Sequence, residues 1–459
     1  MEKESLKIKR LKYEGRLHSI KEGIFTSAKS SFGDQYVSPF AIAINASNSM
    51  VALLTSITGL LGPLSQTFGS RLIEKYSRKR ILLKAVLFEA LMWIPMIIIA
   101  FLYYKGVIIN ILPFILLISF SIYVLLTNVT HPAWFSWMGD IVNEKNRGKW
   151  FSKRNLITGF VSIILAIVAS FFLDYFKKNN WIMIGFVILF FLALIARLIS
   201  RRIFKKQYEP KIELKKGYYF SFWEFILNAP KNNFGRFTIF RCFLSFSASI
   251  CSPLIAVYLL RNLEFSYVHY MIITLGGTFV SLFVLEFWGK FADSCGNYKT
   301  LVIASVLIPT VPVLWILHYN MVYLLLVPSV VSGIAWAGIH LASGNFIYDN
   351  VSQPKRGLAV SYYTILWGIG VFLGAGLGAL LIKFLNTSFI EPIIAIFIIS
   401  AIVRAVVAIW WLPKIKEIRK KRKFKTEKAL KHIILKGAGP TLIEEIHEIR
   451  SIKKYLNIK

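Results

Sequence analysis

Twelve stretches of roughly twenty largely apolar residues, divided by short polar joints, dominate this 459-residue chain and decide how it can fold. They lie near 22–44, 48–69, 81–104, 110–138, 151–173, 180–204, 234–260, 267–289, 300–319, 321–348, 358–383 and 388–412. Each is long enough to cross about 30 Å of hydrocarbon as a helix, where every backbone N–H and C=O must be bonded internally. The first is the weakest by hydropathy, because Lys29, Asp34 and several serines interrupt it. With 56% hydrophobic and only 17% charged residues, the chain could not cover a soluble surface of its size. An all-α integral membrane protein with twelve transmembrane helices is expected.

The charge that remains is lopsided: 55 Lys and Arg against 23 Asp and Glu, a formal net charge of +32. Nucleic-acid binding would require those basic residues to gather on a soluble module. They occupy the joints between apolar runs instead, so no nucleic-acid partner is expected. With the N-terminus inside, the outer loops hold only Lys105, Lys177, Lys178, Arg261 and Lys383, and the inner side takes nearly all the rest. Moving the register by one helix would reverse this sorting. The expectation is a multi-pass protein of the plasma membrane, both termini cytoplasmic, working as a monomer. The first 22 residues are basic without a compact apolar core, so no cleavable signal peptide is expected. Three cysteines (Cys242, Cys251, Cys295) without CxxC spacing suggest neither a disulfide framework nor a metal site, and no cofactor is expected.

The organisation reads as an N-terminal segment 1–21, a six-helix bundle 22–204, a linker 205–233, a second bundle 234–413 and a basic tail 414–459. In the linker, Tyr218, Phe220, Trp223, Phe225 and Leu227 are spaced as an amphipathic segment for the inner membrane interface. The run Arg419 to Lys423 would attract anionic headgroups by about 1 kcal/mol per basic residue, or is a solvated helix that merely reports topology.

Self-similarity divides the chain in two. His131, Ala133, Asp140, Val142, Arg147, Gly148, Ser152 and Gly159 recur as His340, Ala342, Asp349, Val351, Arg356, Gly357, Ser361 and Gly368, always 209 residues on. Composition alone would give about two such identities in this window. Phe25-Thr26-x-x-Lys29 with Ser38-Pro39 is echoed by Phe237-Thr238-x-x-Arg241 with Ser252-Pro253, which sets the weak first span opposite the confident seventh. Two six-helix halves of the same orientation result, as in the larger secondary transporters.

The loops after spans two and eight carry a resemblance to the major facilitator superfamily, whose signature there reads roughly G-x-x-x-D-x-x-G-x-[RK]-[RK]. The second loop follows it as Gly289, Asp293 and Gly296, with Lys299 just beyond; the first is degenerate, with Gly69, Glu74, Ser77 and Arg78-Lys79-Arg80. The resemblance covers residues 20 to 413 and implies two pseudo-twofold-related six-helix bundles. It further implies a latch, with Glu74 near the start of span eleven at Gly357 and Asp293 near the start of span five at Gly148. Arg78 or Lys79 would pair with Asp140, and Lys299 with Asp349, beside Arg147 and Arg356, while the inner gate is shut. The alternative is that these are juxtamembrane charges obeying topology alone. Span four lacks an arginine often seen in the family, and span five lacks the Gly-Pro motif of its proton-driven drug antiporters.

By the same resemblance, spans one, four, seven and ten line a central cavity. That would place Lys29, Asp34, His131, Arg241 and His340 there, with Asn345 beside them. Ionisable residues within a bilayer are costly and normally face a cavity or a partner. Two basic residues and two histidines against one aspartate give a cationic cavity, so an organic or phosphorylated anion held by Lys29 and Arg241 is expected. His131, His340 or Asp34 would exchange protons. Against this, Lys29 and Arg241 could snorkel to the interface, and Lys29 could neutralise Asp34, although five residues is a poor helical spacing for a pair. Glu89, Glu286, Arg197 and Arg404 read as structural. Gly370, Gly374 and Gly378 form a small-residue ridge for close packing.

No HExxH motif or nucleophile elbow is present, and the boundary aspartates Asp140 and Asp349 are repeat-related, so an enzyme is not expected. The expected function is a secondary active transporter working by alternating access. A multidrug efflux carrier and a transport-inactive sensor or lipid-interacting protein on the same fold are the competing readings.

Overall fold

The computed structural model describes residues 2–142, 147–210, 221–352, 355–385 and 389–418, without the side chains of 2–6, 9, 147–149, 356 and 357. The described residues are helical, with no strand among them. Eleven helices are long and apolar enough to cross a membrane: Asn48–Leu72, Arg78–Tyr104, Leu112–Ile141, Trp150–Lys178, Ile182–Lys206, Asn233–Asn262, Tyr267–Cys295, Asn297–Leu317, Met321–Asn350, Leu358–Phe384 and Pro392–Lys414. These are spans 2 to 12 in chain order.

Span 1 escapes a hydropathy criterion because it is polar and broken. A helix Glu2–Phe32 meets a single turn, Asp34–Tyr36, and resumes as Val37–Ala43. It nevertheless packs against spans 5 and 6, with Ser19, Glu22, Lys29 and Ser31 buried. The break has a cause at Gly33: a Cβ there would lie 2.3 Å from the ring of Trp93. Only glycine lets span 3 approach that closely, and glycine is also, after proline, the residue that least favours helix continuation.

Local sequence explains the other helix starts. Ser47, Ser77, Asn232, Ser266 and Asn320 each accept a hydrogen bond from a first-turn N–H of spans 2, 3, 7, 8 and 10, satisfying donors that would otherwise be orphaned. Between spans 6 and 7 a short helix, Phe222–Asn228, buries Phe225 and leaves Trp223 and Leu227 exposed. Tyr218, Phe220 and the basic run Arg419 to Lys423 lie outside the described residues.

The N-terminus, the connection between spans 6 and 7, and the chain beyond span 12 share one face, termed here the terminal face. Among the described residues the apolar core is a single body near the opposite face and forks toward the terminal face. The shared part joins Phe40, Trp93 and Phe186 of the first half to Leu254, Tyr267 and Phe397 of the second. The two prongs are separate, one around Leu82, Trp137 and Phe204, the other around Phe240, Phe291 and Phe346.

Hydrogen bonds join the halves in the opposite-face part. Ser49 and Ser56 donate to the carbonyls of Ala379 (2.9 Å) and Phe372 (2.7 Å). Arg261 donates to Asn48 and to the carbonyl of Ala46. Asp174, at the end of span 5, accepts from the first N–H groups of span 8, Tyr267 at 2.8 Å and Val268 at 3.0 Å. A carboxylate at a helix N-terminus contributes up to about 2 kcal/mol when partly buried. Asp174→Asn should therefore raise the population of opposite-face-open molecules by up to about 30-fold. Spin-label distances between exposed Val107 and Tyr319 would register this as a longer component; an unchanged distribution would show that Asp174 does not hold this closure.

Candidate functional site

Glu89 is the residue around which the first half is organised. It lies on span 3 between Val86, which belongs to the terminal-face prong, and Trp93, which belongs to the shared core. It is 0% exposed, and an isolated carboxylate there would be very costly. Two cations compensate it: Arg197 Nη2 of span 6 at 2.7 Å and Lys29 Nζ of span 1 at 3.3 Å. Lys29 also donates to Asp34 (3.0 Å) and to the hydroxyl of Tyr123 on span 4 (2.7 Å), and Tyr123 donates to Asp34. Arg197 continues to Thr26 (2.7 Å), Ser200 (3.1 Å) and Glu22 (3.5 Å). Glu22 is met by Arg154 of span 5 at 3.2 Å, whose guanidinium stacks 4.5 Å over Trp134. Three carboxylates (Glu22, Asp34, Glu89) and three cations (Lys29, Arg154, Arg197) thus form one chain through four spans, with Tyr123 joining it from a fifth. Its formal charge is zero. Asp34 is the accessible end, with 31% of its side chain exposed against 4% for Lys29.

This geometry revises the sequence reading at three points. Lys29 and Asp34 pair despite their five-residue spacing, because the Gly33 break turns the carboxylate back toward the lysine. Glu89 and Arg197, read as structural, touch Lys29 directly or through one carboxylate. Lys29 is not a free cation opposite Arg241 but a saturated member of a neutral network.

The second half is built the other way. Arg241 on span 7 is 2% exposed; its Nε donates to the Tyr363 hydroxyl of span 11 at 3.1 Å, and its Nη1 has no hydrogen-bond partner. Phe237, one turn away, stacks parallel to the Tyr363 ring at 5.9 Å and fixes it. His340 of span 10 lies within electrostatic range of Arg241, is exposed, and rests 5.7 Å from the Trp336 ring. Arg404 on span 12 is also buried but is held by the carbonyls of Ile308 and Ala248 and the Cys251 sulfur at 3.2 Å. No carboxylate among the described residues forms an ion pair with either arginine. His131, the repeat mate of His340, is exposed beside Gln66, which bonds Asn128 at 2.9 Å.

The gate residues form one cluster in each half. Arg78, the first residue of span 3 and 0% exposed, donates to Asp140 at 2.5 Å and to the carbonyl of Pro210. In the second half Asn297, the first residue of span 9, donates to Asp349 at 2.6 Å, while the expected Lys299 is exposed. Asn345, placed beside the cavity residues by the sequence, donates to Asn297 at 3.1 Å and so also joins this cluster. Glu209 and Glu417 then cap spans 3 and 9, accepting from the N–H of Lys79 (3.2 Å) and Tyr298 (2.8 Å). Gly296 has a φ of +98° and would place a Cβ 2.5 Å from Glu417. Gly69 lets span 2 lie against the Val129 carbonyl, whereas Gly289 meets nothing closer than Leu341 at 4.0 Å. Glu74 is exposed and has no partner among the described residues; Asp293 is exposed on the last turn of span 8. The side chains of Arg147 and Arg356 lie outside the described residues.

Sequence reasoning did not single out Glu22, Arg154, Tyr123, Tyr363, Glu209 or Glu417. A signal existed for the first: an acid inside an apolar span demands a partner.

Solved structures of similar architecture are a nucleoside transporter, NupG (15% identity, TM-score 0.63, covering 88% of this chain and 98% of that one); a bacterial homologue of the iron transporter ferroportin in an inward-facing state (14%, 0.63, 87% and 98%); and a bacterial homologue of the human lysosomal transporter Spinster, inward-facing and unoccupied (13%, 0.61, 92% and 98%). Comparison with curated proteins gave no match. The family model of the Major Facilitator Superfamily matches residues 24–285 and again 237–455. With two six-span halves, a shared core that forks, and this match over nearly the whole chain, the protein belongs to the Major Facilitator Superfamily.

Proposed function

We propose that this transporter carries a small organic or phosphorylated anion, with Arg241 as its anchor. One observation supports this above the others: Arg241 is a buried guanidinium with an unpaired Nη1 and no carboxylate partner among the described residues, whereas Arg404, the other buried arginine of this half, is held by two carbonyls and a sulfur. Buried charges are normally paired, and a guanidinium offers a carboxylate or phosphate two parallel donors. The neutral N-terminal network leaves this cation uncancelled. Lys29, engaged by Asp34, Glu89 and Tyr123, is not a second anchor in this reading. Tyr363 orients Arg241, while Trp336 and His340 border it.

The carrier works by rocking of the halves about the shared core. The terminal face is cytoplasmic, in the plasma membrane, and the molecule acts as a monomer. Asp34, the accessible end of the network, or one of His131 and His340 exchanges the coupling proton. The carboxylates and their network are equally compatible with a hydrophobic-compound carrier, but the unpaired Arg241 favours an anion.

Titrating the purified protein with matched carboxylate, phosphate, neutral and cationic compounds tests this. The anions should bind, and Arg241→Ala should weaken them by about 10- to 100-fold, the loss of a charge-assisted hydrogen bond of about 1.5–3 kcal/mol. Arg241→Lys should restore part of the affinity. Binding of neutral or cationic compounds, retained in Arg241→Ala, would remove the proposal. Collapse of uptake by a protonophore would mark proton coupling.

A further inference from the structure

We infer that a cleft on the flank of the first half, between spans 3 and 6 at the terminal face, is a binding site for an anionic phospholipid. The cleft measures about 570 Å³. Its upper wall carries Lys79, Arg80, Lys84 and Arg201; its lower wall is apolar, formed by Leu83, Leu87 and Phe88. One carboxylate also lines it, Glu209, but this is committed to the Lys79 N–H and lies 3.7 Å from Arg78.

Position along the helix gives the site its direction. Arg80, Lys84 and Phe88 are spaced by four on span 3, so they form one stripe running about 12 Å from the helix start toward the membrane interior. Arg80 and Lys84 are exposed, and neither has an acidic partner among the described residues. Two like charges one turn apart repel each other, and the sequence spends no acid on relieving it. Arg201 faces them from span 6, its guanidinium steadied by the bond from Nε to the Leu83 carbonyl at 2.9 Å. Lys79 is likewise steadied, donating to the Gln207 carbonyl at 2.9 Å. Four cations above an exposed phenylalanine fit a lipid phosphodiester with an acyl chain descending along Leu87 and Phe88. Phe88 is 55% exposed, an apolar surface that an acyl chain would cover. A soluble anion would use the cations and leave the apolar stripe idle. Basic pockets between spans recognise lipid headgroups by this combination, each basic residue near the surface contributing about a fivefold gain in binding.

The experiment uses the purified full chain in a neutral detergent, with phosphatidylglycerol, phosphatidylcholine and glycerol phosphate as probes and native mass spectrometry as the readout. Phosphatidylglycerol should remain bound to the unaltered protein and phosphatidylcholine should not. The pair Arg80→Gln and Lys84→Gln should weaken phosphatidylglycerol by about 30-fold, and each single change by about fivefold, with thermal stability unchanged. A control pair, Lys177→Gln and Lys178→Gln at the opposite face, should leave it unaltered. The inference fails if the Arg80 and Lys84 variants keep full affinity, or if the control pair loses as much. It fails equally if glycerol phosphate displaces the lipid at equal concentration, which would mark a soluble-anion site. Because the readout is lipid retention, it stands or falls separately from the role of Arg241.

Discussion

Glu89→Gln should destabilise the protein more than any other single change in the charged network, by about 3–5 kcal/mol. The substitution keeps the side-chain shape but removes the charge that holds both Arg197 and Lys29. Removing one partner of a buried pair costs about that much, because the other charge is left uncompensated in a low dielectric. Here Lys29 keeps only Asp34 and Arg197 only the more distant Glu22, so the network is left with one orphaned positive charge between two side chains of 3% and 5% exposure, out of reach of water. Thermal melting in detergent measures the effect. Glu22→Gln should cost less, because Arg197 would keep Glu89 and Arg154 would keep its stacking on Trp134. Pairing Glu89→Gln with Lys29→Met should recover part of the loss by removing one orphan. Equal melting of Glu89→Gln and the unaltered protein would mean that the network does not carry the packing of the first half.

Gly374→Val should be the most disruptive change in the second half. Gly370, Gly374 and Gly378 of span 11 face the carbonyls of Cys242, Phe246 and Ile250 on span 7, and a Cβ would lie 2.2, 2.1 and 2.2 Å from those oxygens. The obstacle is backbone, not a side chain that can swing away, so the two spans must separate. Overpacking of cores costs about 1–3 kcal/mol and occasionally more; a clash with main chain on a ridge four residues in period belongs at the upper end. Separation would also move Tyr363 from Arg241, since both ride on these two spans. Gly374→Val should therefore lower both the melting temperature and the affinity for an anion. Gly376→Val, directed at the Ser56 hydroxyl at 3.3 Å, should lower them far less. Similar losses in both variants would refute the ridge as the determinant of this contact.

The architecture was legible because its causes are local. Apolar run lengths set spans 2 to 12, and the echo of Phe25-Thr26-x-x-Lys29 with Ser38-Pro39 in span 7 supplied span 1, which hydropathy rejects. The glycine ridge was visible as a period of four. The charged network was not, because its members sit on four spans and meet only when those spans pack. Lys29 and Asp34 illustrate the limit: their spacing argues against contact on a continuous helix, and nothing but the fit of Trp93 against Gly33 reveals that the helix stops between them. Likewise Asn297 displaced Lys299 as the neighbour of Asp349 because span 9 begins two residues earlier than the basic residue, placing the amide at the first turn.

Glu209 and Glu417 bear on how the molecule came to be built. They lie 208 residues apart, beyond the last apolar residues of spans 6 and 12, and each closes the start of the third helix of its own half. The clasp thus recurs with its bundle, and each six-span unit extends past its final membrane crossing. Shortening the chain at Pro413 would cut through that unit and uncover the start of span 9, whereas a terminus set after Ile418 would keep the second clasp whole.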